Sequence, residues 1–326
     1  MWAHALVAPG RFETVDVAAP SEADVPDGQV LLRALVGGIC GSDLPAFRGT
    51  RHRDPRDLGG WAGKVPGLPL HEIVGEVLVS RHPEHRVGDL VVGWASRFDG
   101  IAELVLADGE GLYAYEASLT PVEAITIQPL ACVLYAVEII DPVPGERAVV
   151  LGQGPIGLLF SHVLNERGAV VTGVDRVDRT DVARVFGVAE TATTTTDRWS
   201  GAVAETDRPP VVVEAIGHQI GSLLHALDAV AFGGQVYYFG VPDDPIYPIS
   251  MQAMFRKNLT LRSGQTIDRR RVLREAGKYL LAHDELRSTY VSDVYPVGHV
   301  QRAFEAATAP KPGQFKIALD MRADAA

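Results

Sequence analysis

The feature that most constrains the fold is a glycine turn between a buried apolar run and a helix-like segment. Its glycines, Gly152, Gly154 and Gly157, have the spacing of a GxGxxG motif. The first glycine permits a tight turn, the second lets the backbone approach a pyrophosphate, and the third lets helix and strand pack closely. The helix N-terminus, with Pro155 and Ile156, can then face the phosphates. The segment therefore predicts a βαβ unit that binds a dinucleotide.

An acidic residue after the next apolar run indicates which dinucleotide is bound. Asp175 lies about twenty residues beyond the turn, where a carboxylate accepts the ribose hydroxyls. The same carboxylate repels a 2′-phosphate, so the sequence favours NAD over NADP. Arg176, Arg179 and Arg184 follow and could neutralise such a phosphate, which keeps NADP as the alternative. The competing interpretation is that the glycine turn only shapes its loop and binds no cofactor. The combination of strand, turn, helix and acidic residue disfavours this interpretation.

The pattern of predicted elements divides the 326 residues into three parts. Residues 1–125 contain short strands separated by Gly and Pro, whereas residues 126–263 alternate strands and helices, which is typical of a parallel sheet covered by helices. Residues 264–326 return to short strands and are expected to rejoin the first part. The predicted strands cover residues 2–7, 30–36, 73–79, 90–94, 101–106, 148–151, 170–174, 211–215, 235–239 and 259–262, and the predicted helices cover 122–140, 156–167, 180–186, 221–231 and 268–282. The threonine tract at 191–196 is interpreted as a loop or an edge strand.

The charge balance disfavours several classes of partner. The chain has 30 basic and 41 acidic residues, a net charge of -11, which does not suit nucleic acid. Its basic runs, 51–53 and 269–271, are short, and the second is interpreted as the solvated face of a helix. The first residues lack the pattern of a signal peptide, and no run reaches the eighteen or so apolar residues of a membrane span. We therefore expect a cytoplasmic protein without nucleic-acid or membrane partners.

Two short segments far apart in sequence carry ligand types that zinc prefers. Cys40 follows a predicted strand, and His71 and Glu72 precede the next one. A thiolate, an imidazole and a carboxylate suit Zn²⁺, and three protein ligands leave a fourth position open for an alcohol. Taken singly, Cys40 would be interpreted as a small buried residue and His71 as an ordinary core or surface residue. Their joint context favours a metal site.

The chain resembles the zinc-containing medium-chain dehydrogenases along nearly its whole length. The segments that carry the resemblance are 36–43, 71–77, 87–91, 102–103, 128–131, the turn at Gly152, 214–217 and 234–236. The resemblance implies an α/β protein, with a GroES-like β-barrel catalytic domain and a doubly wound Rossmann domain built on a parallel sheet. The CGSD and HE segments are most similar to the sorbitol, threonine and glucose dehydrogenase branch. This similarity implies hydride transfer between NAD(H) and a secondary alcohol or ketone, with a polyol, sugar, cyclitol or amino-alcohol as the substrate.

The resemblance also implies roles for individual residues. Zinc would be held by Cys40, His71 and Glu72, with Gln128 at or near the metal, and Asp43 would orient the imidazole. Ser42, Glu72 and Gln128 are the candidate catalytic residues, with Ser42 as the first group to take the hydroxyl proton. The candidate cofactor-binding residues are Gly152, Gly154, Pro155, Ile156, Gly157, Asp175, Arg176, Gly217, Gly240, Val241 and Lys316, of which Gly217, Gly240 and Val241 would lie near the nicotinamide.

Several departures from the family pattern change these expectations. Members with a structural zinc carry a four-cysteine lobe, but no cysteine lies between Cys40 and Cys132, so we predict one catalytic zinc and no structural zinc. Pro45 replaces a histidine that often relays the proton in this family, which leaves His52, Glu72 or water as substitutes.

The aromatic residues expected near the substrate are Trp61, Trp94 and Phe98. By similarity the protein is expected to be a homodimer or homotetramer.

Two other functions remain compatible with parts of the sequence. A zinc-free enone or quinone reductase would share the architecture, but it would not need Cys40, His71 and Glu72 together. A redox-inactive, nucleotide-binding regulator would keep the glycine turn without turnover, and the presence of a full ligand set disfavours it.

Gln128 stands where the family pattern has the glutamate of a Glu-Pro pair, and its neutrality suggests a test. The Cys40 thiolate and the Glu72 carboxylate cancel the two charges of Zn²⁺, so a third anion would weaken the pull of the site on a substrate oxygen. We predict that Gln128→Glu moves the pH profile of alcohol oxidation to higher pH. Steady-state rates across pH measure this shift, and an unchanged or lower apparent pKa would contradict the charge argument.

Overall fold

The computed structural model describes residues 1–49 and 65–322, which contain fifteen strands and ten α-helices. The strands are β1 (Trp2–Ala8), β2 (Arg11–Asp16), β3 (Gln29–Gly38), β4 (Glu72–Ser80), β5 (Leu90–Trp94), β6 (Leu104–Asp108), β7 (Leu112–Ala114), β8 (Arg147–Leu151), β9 (Val170–Asp175), β10 (Val188–Thr193), β11 (Val211–Glu214), β12 (Gln235–Tyr238), β13 (Thr260–Ser263), β14 (Val291–Pro296) and β15 (Lys316–Asp320). The helices are α1 (Leu44–Arg48), α2 (Pro121–Ala124), α3 (Ile127–Ile140), α4 (Pro155–Glu166), α5 (Thr196–Ala202), α6 (Ile220–Ala229), α7 (Met251–Lys257), α8 (Arg269–Ala282), α9 (Asp284–Thr289) and α10 (Val300–Thr308).

The elements form two compact units. The first contains Met1–Ala131, Asp268–Ala309 and Gln314–Ala326, and the second contains Cys132–Ile267 and Pro310–Gly313. The chain thus leaves the first unit within α3 and returns to it just before α8. The boundaries drawn from the sequence, after residues 125 and 263, lie slightly before these two points.

In the first unit, β3 is the central strand of a seven-stranded sheet. It pairs with β4, β6 and β15, and the sheet order is β14-β15-β3-β4-β5-β7 with β6 beside β3. The pairs are antiparallel except for β14 and β15. The side chains of Val30, Leu32 and Val36 on β3 are fully buried. β3 ends at Gly38, and Cys40 follows two residues later. The buried strand therefore fixes the position of Cys40.

Three aromatic rings anchor the segment that follows β3. Phe47 of α1 stacks on Phe12 of β2 with ring centroids 5.7 Å apart, and Phe304 of α10 lies 5.3 Å from Phe47 and 5.0 Å from Phe12. Each aromatic pair contributes about 1 kcal/mol beyond the burial of its area. Because α1 begins at Leu44, directly after Asp43, this cluster fixes the turn that carries Cys40.

The second unit contains a six-stranded parallel sheet in the order β10-β9-β8-β11-β12-β13. In its central strands, residues 148–151 of β8 and 211–213 of β11 are buried and apolar, as expected for a parallel sheet covered on both faces. The strand order reverses between β8 and β11, and sheets of this class bind ligands outside the carboxyl ends of the strands at such a point. The predicted fold class, with a GroES-like domain and a doubly wound α/β domain, is confirmed.

The structure contradicts one predicted helix. Residues 180–186 form consecutive turns between β9 and β10. The backbone N–H of Val182 bonds three residues back to Arg179, whereas that of Phe186 bonds four residues back to Val182, so no regular helical ladder forms. Gly187 then adopts a φ of +64° and ends the segment. The threonine tract contributes the end of the edge strand β10 and the start of α5.

The segment Pro121–Ile140, which contains α2 and α3, is long and apolar enough to cross a membrane by length and composition. However, 72% of its most apolar window is buried within the protein. A core helix passes the same test, and the burial identifies this segment as one.

His4 on β1 is a buried histidine that makes the fold sensitive to acid. Its ring is 3% exposed, Nδ1 lies 3.3 Å from Thr14 Oγ1, and Nε2 has no hydrogen-bond partner. Burial lowers the pKa of His4 below its ordinary value of 6.5. The unfolded chain therefore binds a proton at this residue at a pH where the folded chain does not, and stability falls as the pH drops below about 6.5.

We predict that His4→Gln reduces this loss. Thermal unfolding midpoints compared at about pH 7.5 and about pH 5.5 should fall less in the variant than in the parent. The exposed His299 provides the control His299→Gln, which should behave like the parent. Equal acid sensitivity of the parent and His4→Gln would refute the role of His4.

Candidate metal centre and nucleotide-binding turns

The structure brings Cys40, His71 and Glu72 together. One potential ligand atom from each residue lies within 4.8 Å of those of the other two. Cys40 is positioned by the end of β3, and Glu72 is the first residue of β4, which pairs with β3 in antiparallel register. Pairing of these two strands therefore converts two distant sequence segments into one cluster.

Asp43 connects the two halves of the cluster. Its Oδ2 accepts the backbone N–H of Cys40 at 2.8 Å, and its Oδ1 lies 2.9 Å from Nδ1 of His71. The Asp43 side chain is 1% exposed, so both bonds are shielded from water. Because Nδ1 is occupied by Asp43, Nε2 is the nitrogen of His71 left for a metal. This carboxylate–histidine pair is the arrangement that orients zinc-binding imidazoles.

The electrostatics of His71 reflect its neighbours. Burial by itself would lower the pKa of this imidazole, but the charges and hydrogen bonds of Asp43 and Cys40 outweigh it and raise the pKa well above 6.5. Asp43 supplies a buried negative charge beside the imidazole, so the cluster favours a cation. A metal bound there replaces the proton that His71 would otherwise hold.

Lys316 forms a buried ion pair with Glu72. Its ammonium contacts Glu72 Oε2 and donates to the carbonyl oxygen of Ile39 at 2.9 Å, and both charged side chains are 1% exposed. Glu72 lies on β4 and Lys316 on β15, two of the strands that pair with β3, and they meet across Gly38. A Cβ at Gly38 would overlap Glu72 Oε2, so a glycine at this position leaves room for the ion pair of Glu72 and Lys316.

The position of Lys316 bears on two expectations from the sequence. The role of Lys316 in cofactor binding stays a prediction, because the described contacts of this lysine are with Glu72 and Ile39 in the first unit. The charge count that motivated the test of Gln128 omitted this lysine. Lys316 offsets the charge of Glu72, whereas Asp43 adds a buried carboxylate on the other side of His71.

The cluster fits a zinc ion. A sulfur, an imidazole nitrogen and a carboxylate oxygen form the donor set that catalytic zinc sites use. The Lys316 ammonium contacts Glu72 Oε2, whereas Glu72 Oε1 is buried without a hydrogen-bond partner and is left to serve as a ligand. This oxygen, the thiol of Cys40 and the imidazole of His71 together fit a zinc ion.

The remaining residues predicted for the chemistry lie on the same unit. Ser42 is half-buried in the turn after Cys40, and Asp43 closes that turn, so the Ser42 hydroxyl is not required for it. Gln128 is 2% exposed in the first turn of α3. Of the other predicted residues, His52 and Trp61 lie outside the described residues.

In the second unit, the glycine turn has the geometry that the motif predicts. Gly152 adopts a φ of +88°, which favours glycine, and follows β8 directly. Gly154 has open space where a Cβ would lie, so a phosphate can approach its backbone. A Cβ at Gly157 would overlap the carbonyl oxygen of Gly152, so only glycine allows α4 to pack this closely. Pro155 and Ile156 begin α4, whose N-terminus lies at the turn.

Asp175 is the last residue of β9, and its carboxylate is held rigidly. Oδ2 accepts the backbone N–H of Gln153 at 2.6 Å, and Oδ1 accepts that of Val177 at 2.8 Å. Arg176 is exposed beside it, whereas Arg179 is 4% exposed and donates to the carbonyl oxygen of Lys311 at 3.0 Å. Of these two arginines, only Arg176 is exposed to meet a ligand phosphate.

Gly217, Gly240 and Val241 lie together beyond the carboxyl ends of β11 and β12. A Cβ at Gly217 would lie 2.6 Å from the backbone nitrogen of Val241, and one at Gly240 would overlap the backbone of Gly217. Glu214 fixes this contact, because its carboxylate accepts the backbone N–H of Gly217 at 3.1 Å. Burial raises the pKa of Glu214, and hydrogen bonds from the surrounding loop act against that rise.

Sequence reasoning missed two supporting residues of the nucleotide site. Glu214 was seen only as part of a family segment, although an acid at the end of a buried strand could have indicated a buried hydrogen-bond acceptor. Gln153 is 2% exposed beneath the turn, where its amide donates to the carbonyl oxygen of Val150 at 3.2 Å and accepts from Ser161. No local pattern distinguishes this glutamine from an exposed turn residue.

The basic run at 269–271 is not simply a solvated face. The Arg269 guanidinium lies 4.9 Å from the centre of the Trp94 ring, and Arg270 forms an ion pair with Glu110 at 3.1 Å. Arg271 pairs with Glu275 at 2.9 Å within α8. The run 51–53 lies outside the described residues.

Comparison with known proteins gives two matches to family models. The alcohol dehydrogenase GroES-like domain matches residues 26–120, and the zinc-binding dehydrogenase domain matches residues 155–278. The first match contains Cys40, His71 and Glu72, and the second begins within the glycine turn and contains Asp175 and Gly217.

Characterised relatives span most of the chain. D-altritol 5-dehydrogenase of Agrobacterium fabrum is 29% identical over 284 residues, which cover 76% of this chain and 80% of that protein. L-threonine 3-dehydrogenase of Saccharopolyspora erythraea is 26% identical over 337 residues and covers 89% of this chain and 91% of that protein.

Solved structures give the same fold. 2R,3R-butanediol dehydrogenase from Bacillus subtilis superposes with a TM-score of 0.75 at 23% identity, covering 98% of this chain and 99% of that chain. The two family models and the relatives together show that the chain belongs to the zinc-type medium-chain dehydrogenase family, whose chemistry requires zinc and a nicotinamide cofactor.

Proposed function

We propose that the protein is an NAD-dependent dehydrogenase of secondary alcohols, with a polyol, sugar, cyclitol or amino-alcohol as substrate. The observation that carries this proposal is the cluster of Cys40, His71 and Glu72. The overall reaction transfers a hydride from the carbinol carbon to NAD and releases the hydroxyl proton. The polyol and amino-alcohol activities named for the relatives support this substrate class.

The residues of the first unit would hold the metal and move the proton. Cys40 Sγ, His71 Nε2 and Glu72 Oε1 would bind Zn²⁺, which supplies Lewis acidity that lowers the pKa of an alcohol hydroxyl. Asp43 keeps Nε2 of His71 directed to the metal. Ser42, in the turn between Cys40 and Asp43, would be the first group of the proton relay: its hydroxyl would take the substrate proton as it passes its own proton on to water.

Lys316 would set the charge of the site. Its contact with Glu72 holds that carboxylate and neutralises it within the protein. A less negative metal site stabilises a developing negative charge on the substrate oxygen more strongly. A neutral Gln128 acts in the same direction.

One catalytic zinc and no structural zinc remain our proposal for the metal content. The only cysteines in the sequence are Cys40 and Cys132, so a four-cysteine lobe has no ligands here. The zinc-free reductase is disfavoured because the three ligands converge. The regulator is disfavoured for the same reason.

NAD is proposed as the cofactor because Asp175 presents a fixed negative charge after β9. Arg176 remains exposed nearby and keeps NADP as the alternative.

A homodimer or homotetramer is the proposed assembly. β13 is an edge strand of the sheet in the second unit, and edge strands readily pair with another chain. Phe232 and Phe255 are 75% and 86% exposed, and the Gly233 N–H bonds to the carbonyl oxygen of Lys257, so the two apolar segments adjoin. Exposed apolar residues beside an edge support an interface between copies. A cytoplasmic location stays part of the proposal.

The metal assignment is tested with the two cysteines of the chain. Cys40→Ser should lower zinc affinity by more than about a hundredfold, since losing even an outer-shell partner costs about 10–100-fold. Alcohol oxidation should fall with it. Cys132→Ser is the matched control, because Cys132 lies outside the cluster. Zinc is measured by mass spectrometry after dialysis against a chelator, and turnover by NADH absorbance. Equal zinc retention by the two variants would reject the site.

The cofactor assignment is tested at Asp175. Asp175→Asn should weaken NAD binding by about tenfold to a hundredfold, the usual contribution of hydrogen bonds to a charged group, and should raise the ratio of NADP to NAD use. The exposed Asp181 on the following turns gives the control Asp181→Asn. The ratio of kcat/KM for the two cofactors is the measurement. An unchanged ratio in Asp175→Asn would show that another group selects the cofactor.

A further inference from the structure

The ring of Phe98 lies directly beside the metal cluster. Its centroid is 5.2 Å from that of the His71 imidazole, with the two planes inclined at 57°. Phe98 is 42% exposed, whereas the His71 side chain is 12% exposed. Part of the ring therefore covers a metal ligand, and part is left as accessible apolar surface next to it.

The backbone holds this ring in an unfavourable conformation. Phe98 adopts a φ of +59°, which a bulky side chain rarely does and which glycine adopts freely. Its N–H donates to the carbonyl oxygen of Ala95 at 3.0 Å, and its own carbonyl oxygen accepts the N–H of Leu70 at 2.9 Å. Since Leu70 precedes His71, the loop is bonded to the segment that carries the ligand. Strain of this kind concentrates at functional sites.

Trp94, another aromatic residue singled out in the sequence, does not offer the same surface. Trp94 begins the loop, but it is 9% exposed and the Arg269 guanidinium covers its ring at 4.9 Å. Trp61 lies outside the described residues. Among the three, Phe98 is the one with a described, accessible ring against a metal ligand.

We propose that Phe98 determines substrate specificity by packing against the carbon skeleton of the alcohol, beside the oxygen that the metal would hold. This inference rests on the proposed dehydrogenase function and narrows its substrate class. An alcohol with carbon on both sides of the carbinol, such as a pentitol or a vicinal diol, covers the ring with its C–H face. A two-carbon primary alcohol leaves most of the ring in water, so it gains little from this contact.

The test compares Phe98→Gly and Phe98→Leu with the parent, and Arg97→Ala, an exposed neighbour on the same loop, is the control. The zinc-loaded proteins are assayed with NAD and with D-arabinitol, (2R,3R)-butanediol and ethanol. For whichever of the two larger alcohols the parent uses better, KM should rise about tenfold or more in Phe98→Gly, with a smaller rise in Phe98→Leu. The ethanol KM should change less than about twofold, and Arg97→Ala should match the parent.

A second readout separates substrate contact from a merely structural role. Phe98→Gly should keep the zinc content of the parent and unfold at the same or a higher temperature, because glycine relieves the backbone strain. A lower unfolding temperature together with zinc loss would overturn the proposal, since it would make Phe98 a support for the metal site. An unchanged KM for the larger alcohol, or an equal rise for ethanol, would overturn it as well.

Failure of the proposed function has a different signature. If the parent oxidises no alcohol, the dehydrogenase assignment fails, and calorimetric titration of the zinc-loaded protein with NADH and D-arabinitol then decides the role of Phe98. Weaker binding in Phe98→Gly than in the parent supports the contact. Equal binding, or none in either protein, overturns it.

Discussion

The metal site depends on the two hydrogen bonds of the Asp43 carboxylate. One of its oxygens is bonded to the backbone of Cys40 and the other to the ring of His71, so a single buried anion joins the two segments that carry ligands. A buried charge is tolerated only where it is fully hydrogen-bonded, and these two bonds provide that. The central strand β3 and the aromatic cluster around Phe47 hold the turn in which this carboxylate lies.

Glycine residues allow close packing at both sites. In the first unit, Gly38 leaves the space in which Lys316 reaches Glu72 between neighbouring strands. In the second unit, Gly157 lets α4 approach the turn after β8, and Gly240 lets two loops pack against each other. A methyl group at any of these positions would overlap backbone or a charged group. The geometry of the sites therefore follows from close backbone approach as much as from the functional side chains.

The supporting residues around the two sites stabilise turns by the same kind of hydrogen bond. Glu214, Gln153 and Asp43 are buried polar groups whose bonds go mainly to backbone N–H or carbonyl groups of functional turns. Such bonds fix loops that have no regular secondary structure of their own. Phe98 adds a strained backbone position at the metal cluster, and this strain is sustained because the loop is bonded to the segment before His71.

The sequence by itself determined the fold class, the glycine turn and the ligand types, because these depend on local spacing and on residue chemistry. It also indicated the partnership of Asp43 with His71. It failed at residues 180–186, where local apolar spacing suggested a helix but the short connection between two parallel strands forms turns. Only the tertiary structure revealed the pairing of Lys316 with Glu72 and the place of Phe98, because both depend on strand register and loop contacts between residues far apart in the chain.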